Sequence, residues 1–142
     1  MNYRDYDDAQ DLVEELGAAA NRIEDAIEAL ESLNLEDDIE YKVGLQQDIE
    51  HQLHAAAAHL RNVWRCDSAE YMNGLNEVAH CYQLGAEAGE SASEDEIKSD
   101  IQYLENILFD IRHELAEAAD YVAEWDERDR QAMIREYEHS VL

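Results

Sequence analysis

Ile97, Ile101, Leu104, Leu108, Ile111, Leu115, Ala118, Val122 and Trp125 follow one another at alternating intervals of four and three residues without a miss. A helix gathers such positions onto one stripe, whereas a strand would scatter them over both faces. No proline breaks the stripe, because the chain contains none. Ser93 and Glu96 stand ahead of it as a capping box, in which a hydroxyl and a carboxylate three residues apart satisfy each other's backbone amides. The spacing predicts a helix from Glu94 to about Asp129, about 54 Å long at ~1.5 Å per residue. A bent or broken continuation would carry Met133, Ile134 and Tyr137.

The same alternation places Leu12, Leu16, Ala19, Ile23, Ala26, Leu30 and Leu33 on a first helix. A break follows from Ser32 to Asp38, where Asn34 or Asp37 is the expected N-cap. A second helix, from about Asp38 to Trp64, presents Ile39, Gln46, Ile49, Leu53, Ala56, Leu60 and Val63; Gln46 is its polar interruption. A shorter third helix, capped by Asp67 or Ser68, turns Tyr71, Leu75, Val78 and Tyr82 inward and is expected to end near Gly85. The Gly- and Ser-rich stretch GAEAGESAS then links it to the fourth. The expected fold is all-α, an antiparallel helical bundle of about four helices. It is built as paired helical hairpins on a coiled-coil-like heptad core, with a long C-terminal helix. Residues 1–142 form one domain of ordinary size.

No apolar run approaches the ~18 residues of a membrane span and no leader pattern opens the chain, so no membrane contact and a cytoplasmic location are expected. Cys66 and Cys81 are expected to be reduced thiols.

Charge is the informative total. The chain carries 36 acidic residues against 10 basic ones, a net charge of −26. Such a protein repels nucleic acid and anionic membranes directly and attracts basic surfaces. With Leu115, Ala118, Val122 and Trp125 on the seam, helical phase sets Asp110, Glu117, Asp120, Glu124 and Glu127 on the far side of the fourth helix, with Glu114 at its flank and Asp126 in the same acidic stretch. Asp7, Asp11, Glu14, Asp25 and Glu28 do the same on the first helix, opposite Leu12, Leu16 and Ile23. Spread along a bundle of about 45–55 Å, at ~1.5 Å per helical residue, the net charge gives one unit per ~1.7–2.1 Å, close to the ~1.7 Å of duplex DNA. Phase places Tyr103 on the outer face and Tyr121 at the flank of the fourth helix; Tyr103, Tyr3 and Tyr6 are read as contact residues, Tyr71 and Tyr82 as edges of the core.

Acid-x-x-His spacing recurs at Asp48 and His51, Glu77 and His80, Asp110 and His113, and Glu136 and His139. Carboxylate-bridged di-iron bundles use that spacing with both ligands inward. Here the phase set by Ile49, Val78 and Ile111 turns the first three pairs outward, so neither metal nor other cofactor is expected. His51, His54 and His59 lie on roughly one side of the second helix, an incidental site at most. No nucleophile stands in a motif that supplies a base, and no Gly-rich phosphate loop occurs, so the chain does not read as an enzyme.

The expected function is therefore a non-enzymatic inhibitor that occupies a basic nucleic-acid-binding surface of a partner by DNA or RNA mimicry. In composition it resembles the acidic proteins with which phages and mobile elements block nucleases, restriction enzymes and CRISPR complexes. The alternative is a structural or adaptor bundle working through helix pairing, as an assembly factor, chaperone or antitoxin. Halophile adaptation is a further cause of acidity, since lysine occurs only at Lys42 and Lys98. The long last helix also suggests homodimerisation through itself.

Overall fold

The computed structural model describes residues 6–33, 37–63 and 66–141. They form α1 (Tyr6–Ser32), α2 (Ile39–Asn62), α3 (Cys66–Ala88) and α4 (Glu94–Val141). The described residues contain no strand. α1 packs against α2 and α4, α2 also against α3, and α3 meets α4 only sparsely, so the four helices form a ring that closes loosely between α3 and α4. Cross-helix pairs run antiparallel throughout. Glu15 meets His59 and Arg22 meets Gln52; His54 meets Asn76; Tyr82 and Tyr71 reach Asp100 and Asp110. The heptad positions Leu12, Leu16, Ile23 and Leu30 of α1, Ile49, Leu53 and Leu60 of α2, Leu75 of α3 and Leu104 and Ile111 of α4 are fully buried, so the core is the one the periodicity traces.

Gln46 is the exception that explains a connection. Its side chain is 1% exposed, and its Nε2 donates to the Glu90 carbonyl at 2.9 Å while its Oε1 accepts from the Ala92 amide at 2.9 Å. A buried polar group is stable only when bonded, and here both ends of the amide are used to hold the α3–α4 turn from α2. The turn itself is a Schellman ending. Glu90 N–H donates to the Gly85 carbonyl and Gly89 N–H to that of Ala86, around Gly89 at φ +67°, a conformation that favours glycine. α3 consequently ends at Ala88 rather than near Gly85.

The helix starts depart from expectation. Half of the capping box forms: Glu96 N–H donates to Ser93 Oγ at 3.2 Å, while the Glu96 side chain lines the gap between α3 and α4 instead. The N-cap of α2 is Asp38, whose side chain makes no capping bond; Asn34 lies outside the described residues. α3 begins at Cys66, and the side chains of Asp67 and Ser68 lie outside those described.

α4 does not stop or break near Asp129. It runs unbroken to Val141 over 48 residues, about 72 Å at ~1.5 Å each, and its cover thins in steps. Antiparallel to it, α3 runs out just beyond the Tyr71–Asp110 contact, and α1 begins at Tyr6 beside Asp126. Leu115, Val122 and Trp125 are accordingly half-buried, and beyond Asp126 every residue whose side chain is described is exposed. Ile39 of the second seam is exposed too, at the end of α2.

Candidate acidic interface

The first turns of α1 are clamped to α4 by aromatic side chains. Tyr6 donates its hydroxyl to Asp126 Oδ1 at 2.6 Å and accepts from Gln10 Nε2 at 2.9 Å. Its ring stands edge-on to Trp125 at 6.5 Å, Tyr121 lies 6.3 Å from the same indole, and the Arg128 guanidinium sits 5.7 Å from its centroid. The Tyr6 hydroxyl is held above its usual pKa, first by the bond to Asp126, then by burial and the charges of Asp126, Asp129 and Asp7. Tyr6 is thus an internal fastener, not the free contact residue expected of it; Tyr3 lies outside the described residues.

This clamp fixes the register of the two acidic rails. Asp7, Asp11 and Glu14 of α1 run alongside the 117–127 segment of α4, which carries Glu117, Asp120, Glu124 and Glu127, and all seven are exposed. Two have close partners: Glu117 lies 3.3 Å from the His113 ring nitrogen and Glu127 pairs with Arg130 at 2.6 Å. The bonds from Arg130 and Gln131 hold the Glu127 carboxyl below the usual range. Other ion pairs reach Glu15, Glu24, Glu50 and Glu94; among the described residues Asp7, Asp11, Glu14, Asp120 and Glu124 take part in none. Asp25 and Glu28 do not join this end. They lie about 27 Å or more from Asp7 at ~1.5 Å per residue, beside the Glu24–Arg112 bridge and a cleft lined by Ile27, Glu105 and Phe109.

Two further expectations shift. Asp110 is exposed but accepts the Tyr71 hydroxyl of α3 at 3.1 Å; Glu114, expected at the flank, is half-buried there. Tyr103 is exposed, at 42%, but it leans to α3, where its hydroxyl occupies the space over Gly74 that a Cβ would need. A single stripe presumes one neighbour, whereas α4 has α1 on one side and α3 on the other for its first half, so positions at the stripe's edge become contacts. The slow drift of a 3.6-residue helix against a heptad adds to this.

Asp48, His51, Glu77, His80, Asp110 and His113 are all exposed. His54 turns to Asn76 of α3 at 3.1 Å while His59 turns to Glu15 of α1 at 2.8 Å, so the histidines of α2 diverge. Among the described residues no group of three or more His, Cys, Asp or Glu is placed to hold a metal, and no helix is long and apolar enough to cross a membrane. Cys81 is a free, exposed thiol.

Periodicity did not foresee the cleft where α3 and α4 part, about 570 Å³ in volume and lined by Gln46, Cys81, Tyr82, Gly85, Glu96 and Asp100 among others. Tyr82 donates to Asp100 Oδ2 at 2.8 Å. Burial lifts the Asp100 carboxyl above the usual range; the Tyr82 bond opposes that and the Glu96 charge adds to it. Burial, with the same bond, holds the Tyr82 hydroxyl far above its own. With its hydroxyl donated to Asp100, Tyr82 forms a structural tie across the open seam.

Charge divides unevenly along α4. Residues 127–142 carry four carboxylates against three arginines, a net charge of −1 that leaves −25 on the first 126 residues. Along the covered part of α4, 33 residues or about 50 Å at ~1.5 Å each, that is one charge per ~2 Å, near the duplex spacing of ~1.7 Å. Including the whole helix would dilute it to one per ~2.8 Å. The acidic body and the near-neutral extension are electrostatically distinct. No protein-family model matches this chain, and no curated protein or solved structure matches it either.

Proposed function

We propose that this protein is a non-enzymatic inhibitor whose acidic end docks on a basic nucleic-acid-binding surface of a partner, in the manner of phage proteins directed against CRISPR or restriction nucleases. The observation that carries the reading is the register of α1 against α4, which brings the segment with exposed Asp7, Asp11 and Glu14 to the same end as the one with exposed Glu117, Asp120, Glu124 and Glu127. Carboxylates fixed on such a scaffold offer a basic cleft much of the counterion release it gains on a phosphate backbone. The partner-facing set is accordingly narrower than periodicity implies, with Asp110, Asp126 and Tyr103 held in internal contacts.

The test is inhibition of DNA cleavage by a guide-loaded CRISPR nuclease and by restriction endonucleases, with and without the triple reversal Glu117→Lys, Asp120→Lys and Glu124→Lys. These positions are exposed, so the helical circular dichroism should be unchanged while inhibition is lost. Binding should weaken steeply with salt and yield to duplex DNA. Partner binding indifferent to the triple reversal and to salt would sink the mimic and favour an adaptor acting through helix pairing, the second reading, which the exposed apolar residues of the α4 extension support.

A further inference from the structure

We infer that the α4 extension is a self-association surface on which the same segment of a second copy packs antiparallel. Past Asp126 the helix projects about 22 Å at ~1.5 Å per residue beyond the first described residue of α1. It exposes Met133, Ile134 and Tyr137, at 70%, 50% and 71%, on a face that continues the one α1 covers upstream.

Two features of the segment select a second copy as its occupant. The first is charge: the body of the chain carries −25 and repels its own kind, whereas residues 127–142 carry −1, so self-contact meets little repulsion here. The second is spacing. Arg130, Met133, Ile134 and Tyr137 stand three, one and three residues apart, a pattern that reads the same in both directions. Two antiparallel copies centred between Met133 and Ile134 therefore set Met133 against Ile134 of the second copy, and the stem and guanidinium of Arg130 against its Tyr137 ring. Each extension takes the place that a continued α1 would fill, and the bodies are kept roughly one extension length apart. That separation exceeds the Debye length of ~8 Å at 0.15 M salt but not the ~30 Å at 0.01 M. Contact between two helices of about four turns is small, so the dimer is a concentration-dependent one.

Sedimentation velocity of the full chain tests this across micromolar to submillimolar concentrations. A monomer–dimer equilibrium is expected, tighter at 0.15 M than at 0.01 M salt, the opposite of the salt response of charge-driven inhibition. The double substitution Met133→Glu and Ile134→Glu should raise the dissociation constant by roughly ten-fold or more without loss of helicity. In a Cys66→Ser, Cys81→Ser background, oxidising an equimolar mixture of the Arg130→Cys and Tyr137→Cys chains should give mainly the mixed disulfide. A chain monomeric at every concentration and salt overturns the proposal, as does a dimer untouched by the double substitution. Cross-linking dominated by Tyr137→Cys with itself overturns the antiparallel register. Since Met133 and Ile134 lie outside the acidic set, inhibition should survive the double substitution, so the failure of inhibition and the failure of dimerisation are separately visible.

Discussion

Replacing Gln46 by leucine sets two lines of reasoning against each other. On periodicity alone Gln46→Leu completes an apolar heptad seam, and burying a leucine there should stabilise by about 1.5–3 kcal/mol. In the fold, Gln46 Oε1 takes the Ala92 amide and its Nε2 gives to the Glu90 carbonyl, both at 2.9 Å. Leucine strands both. Ala92 is half-buried, so its orphaned N–H forfeits about 1–3 kcal/mol; the Glu90 carbonyl, at an exposed residue, turns to water and forfeits roughly 0.5 kcal/mol or less. The apolar gain is small because the stem of Gln46 is already buried, and γ-branching crowds Gly85, whose own Cβ position lies 3.1 Å from Gln46 Nε2. The net expectation is a loss of about 2 kcal/mol. At ~2.1 cal/mol/K of unfolding entropy per residue, that lowers Tm by about 7 °C. Thermal and urea unfolding followed by circular dichroism measure it, with the urea slope unchanged if only the native turn is affected. A Gln46→Leu chain with a raised Tm would show that the turn needs no anchor and that the seam outweighs it.

Other substitutions probe the seam between α3 and α4 and the acidic end. Gly74→Ala gains about 1 kcal/mol of helix propensity, but its Cβ meets the Tyr103 hydroxyl and the exposed ring must turn aside; Tm should rise by less than that propensity implies, and the full gain should return in a Tyr103→Phe background. Tyr82, with its folded-state pKa raised, contributes stability that is present below pH ~10 and lost as pH rises beyond it. Asp100, also raised, makes a contribution that is lost as pH climbs through its folded value, above the usual carboxylate range. Tyr82→Phe should therefore flatten the alkaline fall in stability measured by urea unfolding. It should also destabilise at neutral pH by about 1–2 kcal/mol, the lower part of the range for a charged acceptor because Asp100 is half-exposed. Gly89→Ala, forced to φ +67°, should lower stability by about 1–2 kcal/mol in the same assay.

The existence of four helices, their type and the identity of the buried leucines and isoleucines were legible from spacing, because a 3.6-residue turn maps sequence interval directly onto angle and apolar positions at that interval have one face to bury. The outward placement of Asp48, His51, Glu77 and His80 followed from the same map, and those residues are exposed. The candidate site was legible in part. Spacing put Asp7, Asp11, Glu14, Glu117, Asp120, Glu124 and Glu127 on outer faces, but could not say that the α1 set and the α4 set share one end while Asp25 and Glu28 lie apart.

Composition and periodicity determined that this chain is a helical bundle with a strongly acidic exterior, since both depend on positions within a single helix. Which helix neighbours which, and in what register, depended on contacts remote in sequence. The Tyr6–Asp126 bond joins residues 120 apart, and no local interval encodes such a pair. Tertiary structure alone therefore decided that Tyr103 and Asp110 turn to α3, that Gln46 grips a turn 44 residues away, and that α4 outruns every described partner.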